Sequence, residues 1–253
     1  MACKEDFIAV FDSGVGGISV LRQLHAIMPQ ERFLYYGDSA NAPYGTRPTE
    51  QVRKLVLEVA QKLMDRKVKA LVVACNTATA AAIDLLREVW PERIIVGIEP
   101  ALKLAVDTFP QGNIGIMATQ VTLREKKFQA LSQRVAQNCR LFSIPAPGLV
   151  ELVESGKADS PEMDALMEKL LSPYRGKLNA LVLGCTHYPF AQPAIAKALP
   201  GTALFQGGHG TALQTRRRLE QAGLVYDGPG ELVLENSLQS EQILALSHHL
   251  LEV

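Results

Sequence analysis

Short apolar segments rich in Val, Ile and Leu recur along the chain and alternate with amphipathic stretches. They lack alternating polar residues, a pattern typical of parallel strands buried on both faces of a sheet. The segments are FIAVFD, RFLYYGD, ALVVAC, IIVGIE, NIGIMAT, CRLFSI and ALVLGC, with a last strand expected around TALFQ. Between the second and third, Val52, Val56 and Val59 share one helical stripe. The alternation predicts an α/β fold whose ligands bind at the carboxyl ends of the strands.

Two of these segments resemble each other. ALVVACNTATAAAI and ALVLGCTHYPFAQPAI both begin with Ala-Leu-Val and reach a cysteine at the sixth residue, Cys75 and Cys185. Their recurrence predicts two pseudo-symmetric lobes, each a mostly parallel sheet flanked by helices. We expect residues 1–98 and 210–253 to form the first lobe and residues 99–209 the second.

Composition excludes several classes of partner. The 253 residues carry 26 Lys and Arg against 26 Asp and Glu, whereas nucleic acid and anionic membranes select a basic surface. The N-terminal segment MACKEDFIAVFDSG fits neither a signal peptide nor a membrane span. Four cysteines in such a chain are expected to be free thiols in a reducing cytoplasm.

The cysteine segments carry the clearest chemical signal. Each cysteine follows an apolar strand and precedes a predicted helix, whose dipole favours a thiolate. His187 is close enough to exchange a proton with Cys185, and Asn76, Thr77 and Thr186 offer hydrogen bonds to a small anion. A single such cysteine is more often a small buried apolar residue, but two in matching frames favour a chemical role. Without CxxC or HxxxH spacing a metal site ranks low, and thiols from separate lobes disfavour a redox pair.

The glycine-rich segment FDSGVGG follows the first strand. Its glycines permit close backbone approach to a ligand, and helix N-terminal amides can hold an anion. One alternative is a tight turn with Asp12 or Ser13 as an ordinary cap. Another is a nucleotide fingerprint formed by Gly14-x-Gly16 and Asp38, but that pattern requires Gly or Ala where this chain has Ser19.

Three further segments hold candidate site residues. GDSANAPYG contributes Tyr44, which could shape a pocket or belong to a surface loop. GIMATQVT places Thr119 and Thr122 after a strand, where helix capping is the alternative. PGLVELVESG contains the carboxylates Glu151 and Glu154, which could also be solvated helix residues.

The motifs FDSGVGG, NAPYG, ACNTAT and GCTHYP, in this order, resemble the glutamate racemases of the cofactor-independent aspartate/glutamate racemase superfamily. The resemblance covers nearly the whole chain. It implies an active site in the cleft between two lobes and interconversion of L- and D-glutamate without a cofactor or metal. It also implies a role in supplying D-glutamate for bacterial peptidoglycan. The sequence leaves the oligomeric state open, with a homodimer as one expectation.

The resemblance also implies residue roles. Cys75 would deprotonate the D enantiomer with help from Asp12, and Cys185 the L enantiomer with help from His187. Glu154, rather than Glu151, would be the acidic residue near the second thiol. The implied substrate contacts are Asp12, Ser13, Tyr44, Gly45, Asn76, Thr77, Thr119, Thr186 and His187.

The chain departs from the family pattern at one place. Where the family usually carries an Asp-Ser pair, before the final helices, this chain has Phe205-Gln206-Gly207-Gly208-His209. Relatives that act on aspartate or hydantoins would share the fold and both thiols, whereas related decarboxylases need only one cysteine. A nucleotide- or phosphate-binding sensor is the alternative outside enzymes, but it gives no reason for paired thiols.

Overall fold

The computed structural model describes residues 2–98, 101–119, 122–123, 129–130, 133, 135 and 139–252. Glu99 and Pro100, at the expected boundary between the lobes, lie outside this set, as do Gln120 and Val121 of the GIMATQVT segment.

Two parallel sheets form the core of the described chain. The first has five strands in the order β4-β3-β1-β2-β9 and the second four in the order β6-β5-β7-β8. Every strand pair among the described residues is parallel, so the α/β prediction is confirmed. The strands are β1 Phe7–Asp12, β2 Arg32–Gly37, β3 Val68–Val73, β4 Ile94–Gly97, β5 Asn113–Ala118, β6 Arg140–Pro145, β7 Ala180–Gly184, β8 Ala203–Gln206 and β9 Glu231–Asn236.

Helices cover both faces of the sheets, which explains the uniformly apolar strands. In β1, Ile8 and Val10 belong to the apolar cluster that includes Leu21 of the first helix. The alternate residues Ala9 and Phe11 face the second and third helices. The described α-helices are α1 Ile18–Ile27, α2 Thr49–Met64, α3 Asn76–Val89, α4 Leu102–Thr108, α5 Leu149–Glu154, α6 Pro161–Leu171, α7 Gln192–Ala198, α8 Gly208–Ala222 and α9 Glu241–Glu252.

The sequence prediction of the last strand was wrong. TALFQ does contain β8, but the last strand is β9, which pairs with β2 at the edge of the first sheet. As an edge strand β9 is mostly half-buried, and Glu231 and Glu235 point to an exposed surface where they pair with arginines. Its polar residues hide the apolar signal by which the other strands were found.

The departure at residues 205–209 lies where α8 meets α1. Gln206 ends β8 and Gly207 precedes α8. A Cβ on Gly208 would come 3.2 Å from the Cγ of Gln23, so the glycine lets the two helices pack closely. This segment is among the described residues and does not line the cavity discussed below.

A buried ion pair closes the amino end of the first sheet. The Lys69 Nζ of β3 lies 2.6 Å from Glu31 Oε2, with both side chains almost fully buried. Lys69 also donates to the Leu224 carbonyl, and the Tyr226 amide donates to Glu31. The pair therefore fixes the segment between α8 and β9. No helix within the described ranges is long and apolar enough to cross a membrane.

Candidate active site

A cavity of about 200 Å³ lies at the carboxyl ends of strands from both sheets. Parallel strands direct the loops that follow them to one edge, which is where ligands bind in such folds. The loops after β1 and β3 of the first sheet meet those after β5, β6 and β7 of the second. The polar and thiol-bearing lining residues are Ser13, Tyr44, Thr46, Cys75, Asn76, Thr77, Thr119, Glu151, Glu154, Cys185, Thr186, His187 and Tyr188.

Cys75 is buried and caps the N-terminus of α3. Its Sγ accepts from the Ala78 amide at 3.4 Å and lies 3.4 Å from the Ser13 hydroxyl. Burial, together with the negative charge of Asp12, raises the pKa of the Cys75 thiol to about 12. The bonds from Ser13 and Ala78 oppose this shift without overcoming it. The amide at the N-terminus of α3 does favour the thiolate, as expected, but the loss of solvation is the larger effect.

Cys185 has a different neighbour, the imidazole of His187. The two residues flank Thr186 in the turn after β7, and Cys185 Sγ lies 3.6 Å from His187 Nδ1. A short 3₁₀ helix, Tyr188–Ala191, follows in place of the α-helix that follows Cys75. The second thiol therefore has an ionisable side chain where the first has a hydroxyl and an amide.

Glu154 completes a chain of contacts with His187. Its Oε1 lies 2.7 Å from His187 Nε2 and also accepts from the Val15 amide at 3.0 Å. Burial opposes a charged His187, but its bonds to Cys185 and Glu154 raise the pKa of His187 well above its ordinary value. Burial likewise opposes ionisation of Glu154, yet contact with His187 holds its pKa below the usual range. Both shifts favour an imidazolium on His187 paired with a carboxylate on Glu154.

Asp12 is fully buried behind the cavity wall. Its carboxylate accepts from the Gly14 amide and from the Thr186 hydroxyl, each at 3.0 Å. Burial raises its pKa, opposed mainly by the positive charge of His187. Asp12 does not cap α1, because Gly17 occupies the cap position and no side chain bonds there. The carboxylate therefore joins the loop after β1 to the turn that carries the second thiol.

The glycines of FDSGVGG approach protein side chains. A Cβ on Gly14 would lie 2.0 Å from Glu154 Oε1, and one on Gly16 would lie 2.4 Å from His187 Nδ1. These contacts leave no room for any larger residue. The glycine pattern that could indicate a nucleotide site thus reflects close packing of the β1–α1 loop against the residues around Cys185.

The remaining predicted contacts gather around Cys75. The Thr77 and Thr119 hydroxyls lie 3.1 Å apart and join the first turn of α3 to the loop after β5. Asn76 lines the cavity, and its buried Oδ1 has no hydrogen-bond partner among the described residues. The Tyr44 hydroxyl donates to Asp38 at 2.7 Å.

Gly45 and Thr122 have local roles. A Cβ on Gly45 would lie 2.9 Å from the Cβ of Thr119, so the glycine allows this loop to approach the loop after β5. The Thr122 amide donates to the Thr119 hydroxyl, which is the capping geometry considered for this segment.

Sequence reasoning missed several contributors to the site. The Val15 amide and Ser19 both bond to the opposite half of the site, and Tyr35 donates to the Gly14 carbonyl at 2.6 Å. Ser19 carried a usable signal, since it is a polar residue on an otherwise apolar helix face. Glu151 and Tyr188 also line the cavity.

Residues 18–212 match the model of the Asp/Glu/hydantoin racemase family, and this range includes both thiols. The chain belongs to the Asp/Glu/hydantoin racemase family. Glutamate racemase of Clostridium acetobutylicum is 44% identical over 256 aligned residues, with all of both chains covered. Among solved members of the family, glutamate racemase of Thermus thermophilus in complex with β-chloro-D-alanine is 37% identical, with a TM-score of 0.84 over 98% of this chain and 94% of that one. Glutamate racemase of Francisella tularensis in complex with D-glutamate is 26% identical, with a TM-score of 0.86 over 99% and 95% of the two chains.

Proposed function

We propose that this chain interconverts L- and D-glutamate by a two-base mechanism without a cofactor. One observation carries the proposal: two buried thiols, one from each sheet, line the same cavity. A racemase must remove the α-proton from one face of the substrate and return a proton to the other. Thiols on separate sheets can address opposite faces.

The surroundings of the two thiols support different roles for them in the reaction of L-glutamate. Cys75, with a pKa of about 12, holds its proton at neutral pH. The imidazolium of His187 beside Cys185 stabilises negative charge on the second sulfur. These surroundings support Cys75 as the acid and Cys185 as the base when L-glutamate is converted.

In that direction the Cys185 sulfur takes the α-proton and the Cys75 thiol delivers its own proton to the other face, giving D-glutamate. In the reverse direction the roles exchange, with Asp12 assisting Cys75. A thiolate is a weak base for an amino-acid α-carbon, so negative charge developing on the substrate must be stabilised. The hydroxyls of Thr77 and Thr119 line the cavity and are available to the substrate carboxylates, whereas the Thr186 hydroxyl donates to Asp12 and would have to turn toward the substrate to bind it. Asn76 Oδ1 is the acceptor for its ammonium group.

Glutamate is supported as substrate by relatives of that name and by the solved relative that holds D-glutamate. The product would serve peptidoglycan synthesis. We place the enzyme in the cytoplasm, where both thiols stay reduced. We also propose that residues 1–98 and 210–253 form one lobe and residues 99–209 the other. A homodimer remains part of the proposal and is tested by analytical ultracentrifugation.

The experiment follows circular dichroism of L-glutamate in deuterated water without added cofactor, with aspartate and a hydantoin as parallel substrates. Mass spectrometry then measures the α-carbon isotope of each separated enantiomer at low conversion. We expect early D-glutamate to carry deuterium almost completely while unreacted L-glutamate stays mostly protio, because the delivering thiol has exchanged with solvent. Product rich in α-protium would refute the two-thiol mechanism. Turnover of aspartate or the hydantoin alone would refute the substrate.

A further inference from the structure

Ser19 connects α1 to the turn that carries the second thiol. It is the second residue of α1 and lies almost completely buried. Its hydroxyl donates to the Thr186 carbonyl at 2.8 Å. Ser19 therefore belongs to the first sheet's side of the site but bonds to the backbone of the second.

The carbonyl that Ser19 holds lies in the peptide between Thr186 and His187. Rotation of that peptide would turn the backbone from which His187 projects and thereby alter its approach to Cys185 Sγ, now 3.6 Å from Nδ1. The Thr186 hydroxyl on the same residue is held by Asp12 at 3.0 Å. Two hydrogen bonds to the first sheet's side of the site thus fix Thr186. Asp12 at the end of β1 bonds to its side chain, and Ser19 in α1 bonds to its backbone.

Close packing makes this arrangement sensitive to small changes. A Cβ on Gly16 would lie 2.4 Å from His187 Nδ1 and 2.7 Å from the Thr186 hydroxyl. The loop and the turn are therefore in direct contact. A buried carbonyl that loses its donor tends to reorient toward another one.

We propose that Ser19 is a positioning residue for Cys185 and His187 and acts selectively on proton transfer at that thiol. The proposal rests on the two-base function proposed above. Ser19 does not line the cavity, so its effect passes through the Thr186–His187 peptide. Misplacement of a reacting group by a change away from the chemistry can cost up to about 100-fold in rate.

The test is Ser19→Ala, with Ser247→Ala as the matched control. Ser247 is also a buried helical serine whose hydroxyl donates to a carbonyl, that of Ile243 at 2.7 Å, but it lies in α9. Both variants are assayed for kcat, KM and primary isotope effects with α-deuterated L- and D-glutamate. Thermal unfolding by circular dichroism verifies that each variant is folded.

We expect Ser19→Ala to lower kcat about 10-fold. Transfer at Cys185 then limits the rate in both directions, so the isotope effect should rise with α-deuterated L-glutamate and fall with α-deuterated D-glutamate. Ser247→Ala should match the wild type in all three measurements. An unchanged kcat in Ser19→Ala would overturn the positioning role. So would equal isotope effects of this variant with α-deuterated L-glutamate and α-deuterated D-glutamate. An inactive wild-type enzyme would instead refute the underlying function.

Discussion

Cys75 lies against a serine hydroxyl and a backbone amide, whereas Cys185 lies against an imidazole that is itself bonded to a carboxylate. Both thiols are buried at the carboxyl ends of parallel strands, so burial alone does not distinguish them. The neighbouring charge does: Asp12 raises the pKa of Cys75, while His187 places positive charge beside Cys185. Similar segments of sequence thus give two thiols suited to opposite tasks.

The largest effect should follow from removing either thiol. We expect Cys75→Ser and Cys185→Ser each to reduce racemisation at least about 1000-fold in both directions, because a serine hydroxyl is a far weaker base and each cycle needs both groups. Circular dichroism with L- and D-glutamate measures the loss. Cys139→Ser is the control, since Cys139 is half-buried and its thiol donates to the nearby Val135 carbonyl. Near-normal turnover by either active-site variant would contradict the pairing.

The assisting groups should separate the two thiols. We expect His187→Gln to lower kcat about 100-fold and Asp12→Asn to have a smaller effect. Because the two enantiomers are equally stable, kcat/KM must fall equally in both directions. The distinction therefore lies in isotope effects, which measure the step that limits the rate.

For His187→Gln the primary isotope effect should rise with α-deuterated L-glutamate and fall with the D enantiomer. Asp12→Asn should give the reverse pattern if it serves Cys75. Asp12 also bonds to Thr186, so a pattern like that of His187→Gln would assign it to the second thiol instead. Matching changes for both enantiomers in His187→Gln would contradict its assignment to Cys185.

Alkylation should reveal the difference without turnover. At pH 7 iodoacetamide should modify Cys185 before Cys75. Cys75 is protonated at pH 7 because its pKa is about 12, and only the thiolate reacts. Below that pKa the thiolate fraction rises tenfold per pH unit, so labelling of Cys75 should increase about 100-fold from pH 7 to pH 9. Peptide mass spectrometry gives the separate rates. Asp12→Asn should accelerate labelling of Cys75, because Asp12 raises its pKa. Equal rates for the two thiols at pH 7 would contradict the comparison.

The sequence predicted some strands and site residues well and missed others. Both thiols could be found because uninterrupted apolar strands end next to them, and the strand pattern also gave the parallel sheets. The edge strand β9 was missed because only three apolar residues, at positions 232–234, stand between Glu231 and Glu235. Lys69 sits inside the apolar β3, where its contacts with Glu31 and with the Leu224 carbonyl explain its burial.

Contacts between the two halves of the site were beyond sequence reasoning. Val15 and Glu154 are separated by 139 positions, and Ser19 and Thr186 by 167. No local periodicity indicates such pairs. For the glycines of FDSGVGG the sequence leaves a ligand contact and a tight turn both open, because a close approach by backbone has the same sequence signature whatever it approaches.

The smallest effect should come from Ser13, whose hydroxyl lies 3.4 Å from Cys75 Sγ. This bond lowers the pKa of Cys75 against the larger effect of burial, so Ser13→Ala should raise that pKa further and slow proton abstraction from D-glutamate. We expect kcat to fall about tenfold, with a larger isotope effect for α-deuterated D-glutamate and slower alkylation of Cys75 at pH 9. A serine that only contacted substrate would instead raise KM and leave the alkylation rate and isotope effects unchanged. Because alkylation needs no glutamate, that rate separates a partner of the thiol from a partner of the substrate, and an unchanged rate in Ser13→Ala would remove the hydroxyl from the description of Cys75.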